Sequence, residues 1–256
     1  MRNILLTIKY DGTNYAGWQR QPGKRTVCGR LEEVLSSYFD MNIKLEGTSR
    51  TDAGVHAYGQ RATLKADIKV PIEKLPKVIN TALADDRLEG MSDIEIVDAK
   101  DMPEGFHARF DSKGKRYIYK IRNTKNVDIF QKNYCFHVRE ALDIEAMRKA
   151  AEHIVGTHDF ACFQTAGGNP VETTVRTVTK LTIDKENNDN GEFVIVKIEG
   201  DGFLYNMVRI IVGTLVDVGL KKKQPDELKT IIESKDRSNA GKTAPASGLY
   251  LDEIFY

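Results

Sequence analysis

The sequence has few cysteines, and nothing in it is typical of a disulfide or metal framework. Its 256 residues include only Cys28, Cys135 and Cys162, which are odd in number and far apart. This pattern argues against a small secreted protein and against a zinc site of paired cysteines. The histidines show no H-E-x-x-H or comparable spacing, and no G-x-S-x-G segment occurs, so metal-dependent and serine-hydrolase chemistry are disfavoured.

The sequence also lacks a long uninterrupted apolar run and an excess of one charge. The start, MRNILLTIKYDG, alternates Ile4, Leu6 and Ile8 with other side chains, which predicts a strand and not a secretory signal. We therefore expect a cytoplasmic protein without a membrane segment. The net charge of +1 neither supports nor excludes nucleic acid, because such binding depends on how Lys and Arg are clustered.

Hydrophobic spacing predicts both helices and strands. Apolar residues recur at helical spacing in TVCGRLEEVLSSYF (26–39) and in LDIEAMRKAAEHIVG (142–156), which ends at a glycine. RYIYKIR (116–122) is typical of a strand. The stretches TVTKLTID and EFVIVKIEG, joined by the turn-rich KENNDNG, predict a hairpin over residues 177–200.

The order of these elements predicts an α+β protein with two similar halves. The succession strand, helix, strands occurs in the first hundred residues and again after about residue 106. We place the halves at residues 1–105 and 106–256 and expect them to face a common cleft.

FLYNMVRIIVGTLVDVGL (203–220) is an unusual helix candidate, since it is apolar over most of its circumference yet contains Arg209. Together with its other polar groups, this arginine makes the segment too polar to span a membrane. A helix this apolar should be buried, and a buried guanidinium needs a carboxylate or phosphate partner. Two interpretations stay open: an internal ion pair, or a pair whose carboxylate is catalytic.

GTSRTDAGVHAYGQ (47–60) carries a candidate catalytic carboxylate, Asp52, two residues after Arg50. Ser49 and Thr51 can hydrogen-bond to the loop, and Gly54 lets it turn sharply, so the carboxylate could be held in one orientation. Taken alone, such a segment is more often an ordinary polar turn.

FHARFDSKGKRYIY (106–119) interleaves cations with aromatic rings. Such a pattern suits RNA, because the cations contact phosphates and the flat rings stack on bases. A half-buried strand with a basic outer face explains the same pattern equally well.

These stretches, with four others, resemble the bacterial tRNA pseudouridine synthase A family. The resemblance rests on six blocks that occur in order over nearly the whole chain: YDGTNYAGWQRQ (10–21), SRTDAGVHA (49–57), FHARFDSKGKRYIY (106–119), GTHDFACF (156–163), GDGFLYNMVRIIVGTL (200–215) and APASGLYL (244–251).

The resemblance implies an enzyme that isomerises uridine to pseudouridine at neighbouring positions in the anticodon stem-loop of tRNAs. In this family the base is detached from C1′ at N1, turned within the pocket and rejoined through C5, without a cofactor or a metal. The implied fold is the pseudouridine synthase fold, a largely antiparallel central sheet in two similar halves, with flanking helices and a central cleft. The implied assembly is a homodimer that binds tRNA.

The resemblance also assigns roles to residues. The family's catalytic aspartate falls on Asp52, and Arg50 is similar to the arginine that contacts RNA and holds the target nucleotide out of its stack. The tyrosine that stacks on the target base falls on Tyr117, and the arginine that pairs with the catalytic carboxylate falls on Arg209. Further RNA contacts are expected at Phe106, His107, Ala108, Arg109, Phe110 and Arg176.

Two other functions remain compatible with the same residues. A catalytically idle RNA-binding protein would use the same basic and aromatic face, although the intact aspartate, tyrosine and arginine argue against it. An N-glycosidase would place a carboxylate opposite C1′ in the same way and cleave without rejoining. Whether Asp52 attacks C6, attacks C1′ or removes a proton from C2′ is not determined by the sequence.

Overall fold

The computed structural model describes residues 1–84, 92–168, 170–188 and 191–256. Their contacts form two compact units. The first consists of Met1–Lys113 with Tyr250–Tyr256, and the second of Gly114–Leu249. Each unit combines helices with a mostly antiparallel sheet, which confirms the predicted α+β class.

The strands in the described residues are, in chain order, β1 (Arg2–Tyr10), β2 (Glu46–Gly47), β3 (His56–Ala66), β4 (Ile94–Met102), β5 (Gly114–Asn123), β6 (Phe136–Val138), β7 (Gly156–Asp159), β8 (Val175–Asn188), β9 (Gly191–Gly200) and β10 (Leu249–Phe255). The α-helices there are α1 (Val27–Phe39), α2 (Leu75–Leu83), α3 (Ile144–Glu152), α4 (Met207–Gly219) and α5 (Glu227–Ser234).

In the first unit the strand order is β4-β1-β3-β10. The short strand β2 also pairs with β3, near its middle and on the side that faces away from β1. The neighbours are antiparallel except for β3 and β10, which run parallel. The predicted first strand is confirmed, and its apolar side chains Ile4, Leu6 and Ile8 are fully buried. Helix α1 is also confirmed, and it begins where the Thr26 hydroxyl caps the Gly29 N–H at 3.2 Å.

In the second unit the strand order is β5-β9-β8-β7, with the short β6 parallel to β5. The predicted hairpin is confirmed as the antiparallel pair β8 and β9, while residues 189 and 190 of its turn lie outside the described residues. The helix predicted over 142–156 is shorter than expected. Helix α3 ends at Glu152, because the N–H groups of His153 and Ile154 bond carbonyls three residues back and the chain then turns into β7.

Helix α4 is buried, as its composition predicts. Every residue of the helix except Arg209 and Asp217 is buried. A Cβ atom on Gly213 would lie 1.7 Å from the Lys242 carbonyl oxygen, so this glycine allows the segment before β10 to cross the helix in close contact. None of the helices in the described ranges has the length and apolar character needed to cross a membrane.

Candidate active site

The loop that carries Asp52 leads from β2 to β3 and has a fixed backbone. The Trp18 backbone N–H donates to the Thr51 carbonyl at 3.0 Å, and the Val55 N–H donates to the Asp52 carbonyl at 3.1 Å. Gly54 supplies the positive φ of 77° that the turn requires. The loop is therefore held from both sides of the aspartate.

Buried polar side chains fix the residues just before the aspartate. The Gln60 amide on β3 donates to the Ser49 carbonyl at 2.6 Å and accepts from the Ser49 N–H at 3.3 Å. The Tyr10 hydroxyl at the end of β1 lies 2.7 Å from the Thr51 hydroxyl. Because these polar groups are buried away from water, their hydrogen bonds define one loop conformation. A displaced loop would leave the groups without hydrogen-bond partners.

The segment YDGTNYAGW packs beneath this loop, and two of its glycines make that approach possible. Gly17 has a φ of 95°, and a Cβ atom there would lie 2.5 Å from the Thr51 carbonyl oxygen. At Gly12 a Cβ atom would lie 2.0 Å from the Val55 carbonyl oxygen. No larger side chain fits at either position without moving the loop.

The two charged residues of the loop, Arg50 and Asp52, are more exposed than Ser49 and Thr51. Ser49 and Thr51 are buried, whereas Asp52 is half-buried and Arg50 is exposed. Asp52 is thus partly exposed on a backbone that the neighbouring groups hold in place. This arrangement suits a group that must be aimed at a reacting atom.

A buried histidine follows the loop at the start of β3. His56 stacks on the Tyr250 ring with 4.7 Å between the ring centroids. Its Nδ1 lies 3.1 Å from the Gly12 N–H nitrogen and 3.2 Å from an Asp11 carboxylate oxygen. These contacts join the beginning of β3 to the segment under the loop.

The stretch Phe106–Phe110 belongs to the same unit and is buried only at its central residue, Ala108. Ala108 is fully buried, and its carbonyl oxygen lies 3.0 Å from the hydroxyls of both Thr48 and Tyr256. Phe106 packs on the Tyr256 ring with 5.2 Å between the ring centroids. Ala108 therefore anchors the stretch through its backbone.

Arg109 and Phe110 are exposed at the surface, and His107 is half-buried beside them. Phe110 is 75% exposed, and the Arg109 guanidinium carbon lies 5.9 Å from its ring centroid. The His107 ring lies against Phe110 at 4.2 Å between centroids, and its Nε2 is 3.2 Å from a Glu46 carboxylate oxygen. A cation beside an exposed ring is the combination that stacks on bases and contacts phosphates.

Tyr117 and Arg209 both lie in the second unit. Tyr117 is on β5, is 7% exposed, and meets the Phe203 ring edge-on at 5.3 Å. The neighbouring Tyr119 donates its hydroxyl to the Pro245 carbonyl at 2.7 Å, and burial raises the pKa of that hydroxyl. The ring of Tyr117 is thus held in one orientation by packing.

The guanidinium of Arg209 is bound at two of its nitrogens by oxygens of its own unit. Its Nε donates to the Ala244 carbonyl at 2.7 Å, and one Nη donates to the Asn206 side-chain oxygen at 2.8 Å. Asn206 precedes α4 in the left-handed conformation and donates in turn to the Thr165 hydroxyl at 2.7 Å. These contacts orient the guanidinium plane, and the carboxylate partner that the sequence predicts stays a prediction.

Arg176 lies on β8 opposite His158 of β7. Its guanidinium donates to the Thr173 and Val175 carbonyls at 2.9 and 2.6 Å, so it folds back on its own strand. Thr174, between these two residues, donates to the carboxylate of Asp159. The backbone just before Arg176 is therefore held in place by Asp159 of β7.

Comparison with known proteins assigns this α+β chain to a class of RNA-modifying isomerases. A family model described as tRNA pseudouridine synthase matches residues 6–111 and 150–256. The chain belongs to the tRNA pseudouridine synthase family. Its enzymatic activity is thus the isomerisation of uridine in tRNA to pseudouridine.

Curated relatives with the same family name match this chain along all or nearly all of their length. A tRNA pseudouridine synthase A from Thermoanaerobacter sp. (strain X514) is 48% identical over 256 residues, which cover all of both chains. A tRNA pseudouridine synthase A 2 from Clostridium tetani is 45% identical, covering all of this chain and 99% of the relative. A tRNA pseudouridine synthase A from Acetivibrio thermocellus is 43% identical, again over all of both chains.

Proposed function

We propose that the enzyme isomerises uridines at neighbouring positions in the anticodon stem-loop of tRNAs and that Asp52 is its catalytic carboxylate. The observation that carries the catalytic assignment is the contrast within one loop. Asp52 is half-buried, while the residues around it are fixed by Trp18, Gln60 and Tyr10. The resemblance of the SRTDAGVHA segment supports the same choice.

The reaction breaks the bond between N1 and C1′ and forms a bond between C5 and C1′. A proton leaves C5 and N1 gains one, so the product has the composition of the substrate. One carboxylate is needed near the reacting sugar and base, and water must be excluded so that the detached sugar is not hydrolysed. Asp52 can serve as this carboxylate by any of three alternative mechanisms: attack at C6, attack at C1′ or removal of a proton from C2′.

Three other side chains have supporting roles in this proposal. Tyr117 stacks on the target base, for which its ring is already held by packing. Arg209 pairs with the Asp52 carboxylate, and its planar fork is oriented by Ala244 and Asn206. Arg50 contacts the RNA and keeps the target nucleotide out of its stack, which its exposure on the loop permits.

The tRNA is bound by the stretch Phe106–Phe110 and by Arg176 in this proposal. Arg109 and Phe110 make the direct contacts, because both are exposed. His107 supports the Phe110 ring, and Ala108 holds the backbone beneath them.

We further propose that the enzyme is a cytoplasmic homodimer that needs no metal or cofactor. The family resemblance supports the dimer, and so does an exposed apolar group on the loop before β6, where Val127, Ile129 and Phe130 are 51, 67 and 81% exposed. A substrate that is tRNA is consistent with the cytoplasm. Sedimentation of an active monomer would exclude the dimer, and loss of activity on chelation would exclude the metal-free reaction.

The central experiment compares the parent and Asp52→Asn on unmodified tRNA transcripts. Pseudouridine is mapped by carbodiimide-dependent stops of reverse transcription, under single-turnover conditions with excess enzyme. We expect stops at neighbouring uridines of the anticodon stem-loop for the parent and none for Asp52→Asn, with tRNA binding retained. Stops elsewhere in the tRNA would contradict the proposed position, and product formation by Asp52→Asn near the parent rate would contradict the catalytic assignment.

The same experiment separates the two other functions. An N-glycosidase would release free uracil and leave an abasic site, and an idle binding protein would retain tRNA unchanged. Family membership favours the isomerase over both.

A further inference from the structure

A cluster of hydroxyl groups in the first unit joins three parts of the chain. The Thr48 and Tyr256 hydroxyls lie 3.0 Å apart, and each is also 3.0 Å from the Ala108 carbonyl oxygen. Thr48 stands at the start of the Asp52 loop, Ala108 in the stretch Phe106–Phe110, and Tyr256 directly after β10.

The cluster is buried at Thr48 and Ala108, whereas Tyr256 keeps 37% of its surface exposed. The hydroxyl end of Tyr256 lies against these two buried residues, and this partial burial is the main cause that raises its pKa, so the hydroxyl remains a donor. Two hydroxyl protons serve three contacts, which means that only two hydrogen bonds form at one time. Loss of one hydroxyl therefore leaves the other able to satisfy the Ala108 carbonyl.

Both ends of the cluster continue into groups with a proposed role. On one side the Thr48 N–H donates to the Arg61 carbonyl at 2.9 Å, and the next residue, Ser49, is fixed by Gln60. On the other side, Ala108 is followed directly by the exposed Arg109. The hydroxyl cluster is thus the contact that joins the 106–110 backbone to the start of the Asp52 loop.

We propose that Thr48 and Tyr256 are positioning residues that link tRNA engagement at Phe106–Phe110 to the alignment of the Asp52 carboxylate. The inference rests on the proposed roles of Asp52 and of Arg109. It assigns a function in the reaction to Tyr256, whose hydroxyl contacts Thr48 at the start of the Asp52 loop.

The test uses Tyr256→Phe, Thr48→Val and the double variant. Tyr256→Phe keeps the ring that packs on Phe106 and removes only the hydroxyl. We expect each single variant to lose about threefold, and the double variant about tenfold, in the single-turnover rate at saturating enzyme, since small misplacement of a reacting group is costly. The affinity for tRNA should stay within about twofold, so that the loss appears in the saturated single-turnover rate and not in the enzyme concentration that gives half of that rate.

A double-mutant cycle with Arg109→Ala tests the linkage itself. In the parent, Arg109→Ala should slow the saturated rate as well as weaken binding, whereas in the Thr48 and Tyr256 double variant it should affect binding alone. Tyr38→Phe, on the exposed face of α1, is the matched control and should match the parent.

A double variant with the parent's saturated rate would overturn the inference, and so would a loss that merely follows the folded fraction or the tRNA affinity. The proposed function is judged separately, from where the parent places pseudouridine. Product outside the anticodon stem-loop would contradict that position, while the rate comparison would still decide the linkage.

Discussion

Replacing Gln60 by leucine should test whether buried hydrogen bonds hold the Asp52 loop. The Gln60 side chain is fully buried, and it serves the carbonyl and N–H of Ser49 and the N–H of Arg61 at 2.6, 3.3 and 3.1 Å. Gln60→Leu fills a similar volume but leaves all three backbone groups without this partner.

The magnitude follows from the cost of an unsatisfied buried polar group, about 1–3 kcal/mol each. Arg61 is half-buried and its N–H can regain some solvation, so we take the lower part of the sum. The free energy of unfolding should fall by about 3–5 kcal/mol. At about 2–4 °C per kcal/mol for a chain of this size, Tm should fall by roughly 6–20 °C.

Urea and thermal unfolding measure the stability, and single-turnover formation of pseudouridine well below Tm measures the loop. We expect the rate to fall by more than about tenfold in the folded variant, because the carboxylate is no longer held in place. Gln21→Leu is the control, since the Gln21 amide donates to the Ala16 carbonyl at 3.0 Å in an exposed position. Parent-like stability and rate in Gln60→Leu would refute the reasoning.

Gln60→Glu tests the direction in which the stability of the variant changes with pH. Its ionised carboxylate would place an oxygen where the amide now donates to the Ser49 carbonyl, so burial and repulsion should raise the pKa of the introduced carboxyl. A carboxyl with a raised folded pKa contributes its stability below the unfolded pKa, about 4.3, and loses it as pH rises through the folded value. This variant should therefore become more stable relative to the parent as pH falls. A relative stability independent of pH would contradict this account.

Three further predictions concern base stacking, phosphate contacts and acid stability. Tyr117→Leu should lose most activity and Tyr117→Phe should retain more, because stacking on a base contributes about 1–3 kcal/mol; equal losses in pseudouridine assays would count against stacking alone. Arg109→Ala should reduce the slope of log affinity for tRNA against log salt by about 0.7–0.9, and an unchanged slope in filter binding would exclude this phosphate contact. The hydrogen bond from Thr174, followed by that from Lys235, lowers the pKa of Asp159, so its stabilisation exists above the unfolded pKa and is lost as pH falls through the folded one. Asp159→Asn should therefore flatten the acid limb of a stability profile below about pH 4, and a limb identical to the parent's would contradict this role.

Several elements were predictable because their signals are local. The alternation of Ile4, Leu6 and Ile8, the helical spacing in α1 and the turn-rich residues between β8 and β9 each occur within a short window. The end of α3 was not predictable from its apolar spacing, which continues beyond the helix. That end depends on where the chain must turn to enter β7.

The surroundings of Arg209 show a different limit. The composition of its segment predicted a buried helix with one guanidinium that needs an anionic partner, and the burial of α4 is confirmed. The oxygens that orient the guanidinium come from a backbone carbonyl 35 residues away and from Asn206 in the turn before the helix. Partial charges on a carbonyl and an amide have no signature in a hydrophobic pattern.

The sequence by itself determined the family, the α+β class and the aspartate loop, because each depends on motifs or periodicities within single segments. Only the tertiary structure decided what holds that loop: Tyr10, Gln60 and Tyr256 meet it from 41, 11 and 208 residues away. Such partners are chosen by the register of β1 on β3 and by the return of β10 to the first unit. A hydrogen bond between distant residues needs only one donor and one acceptor, so it leaves no local pattern in the sequence.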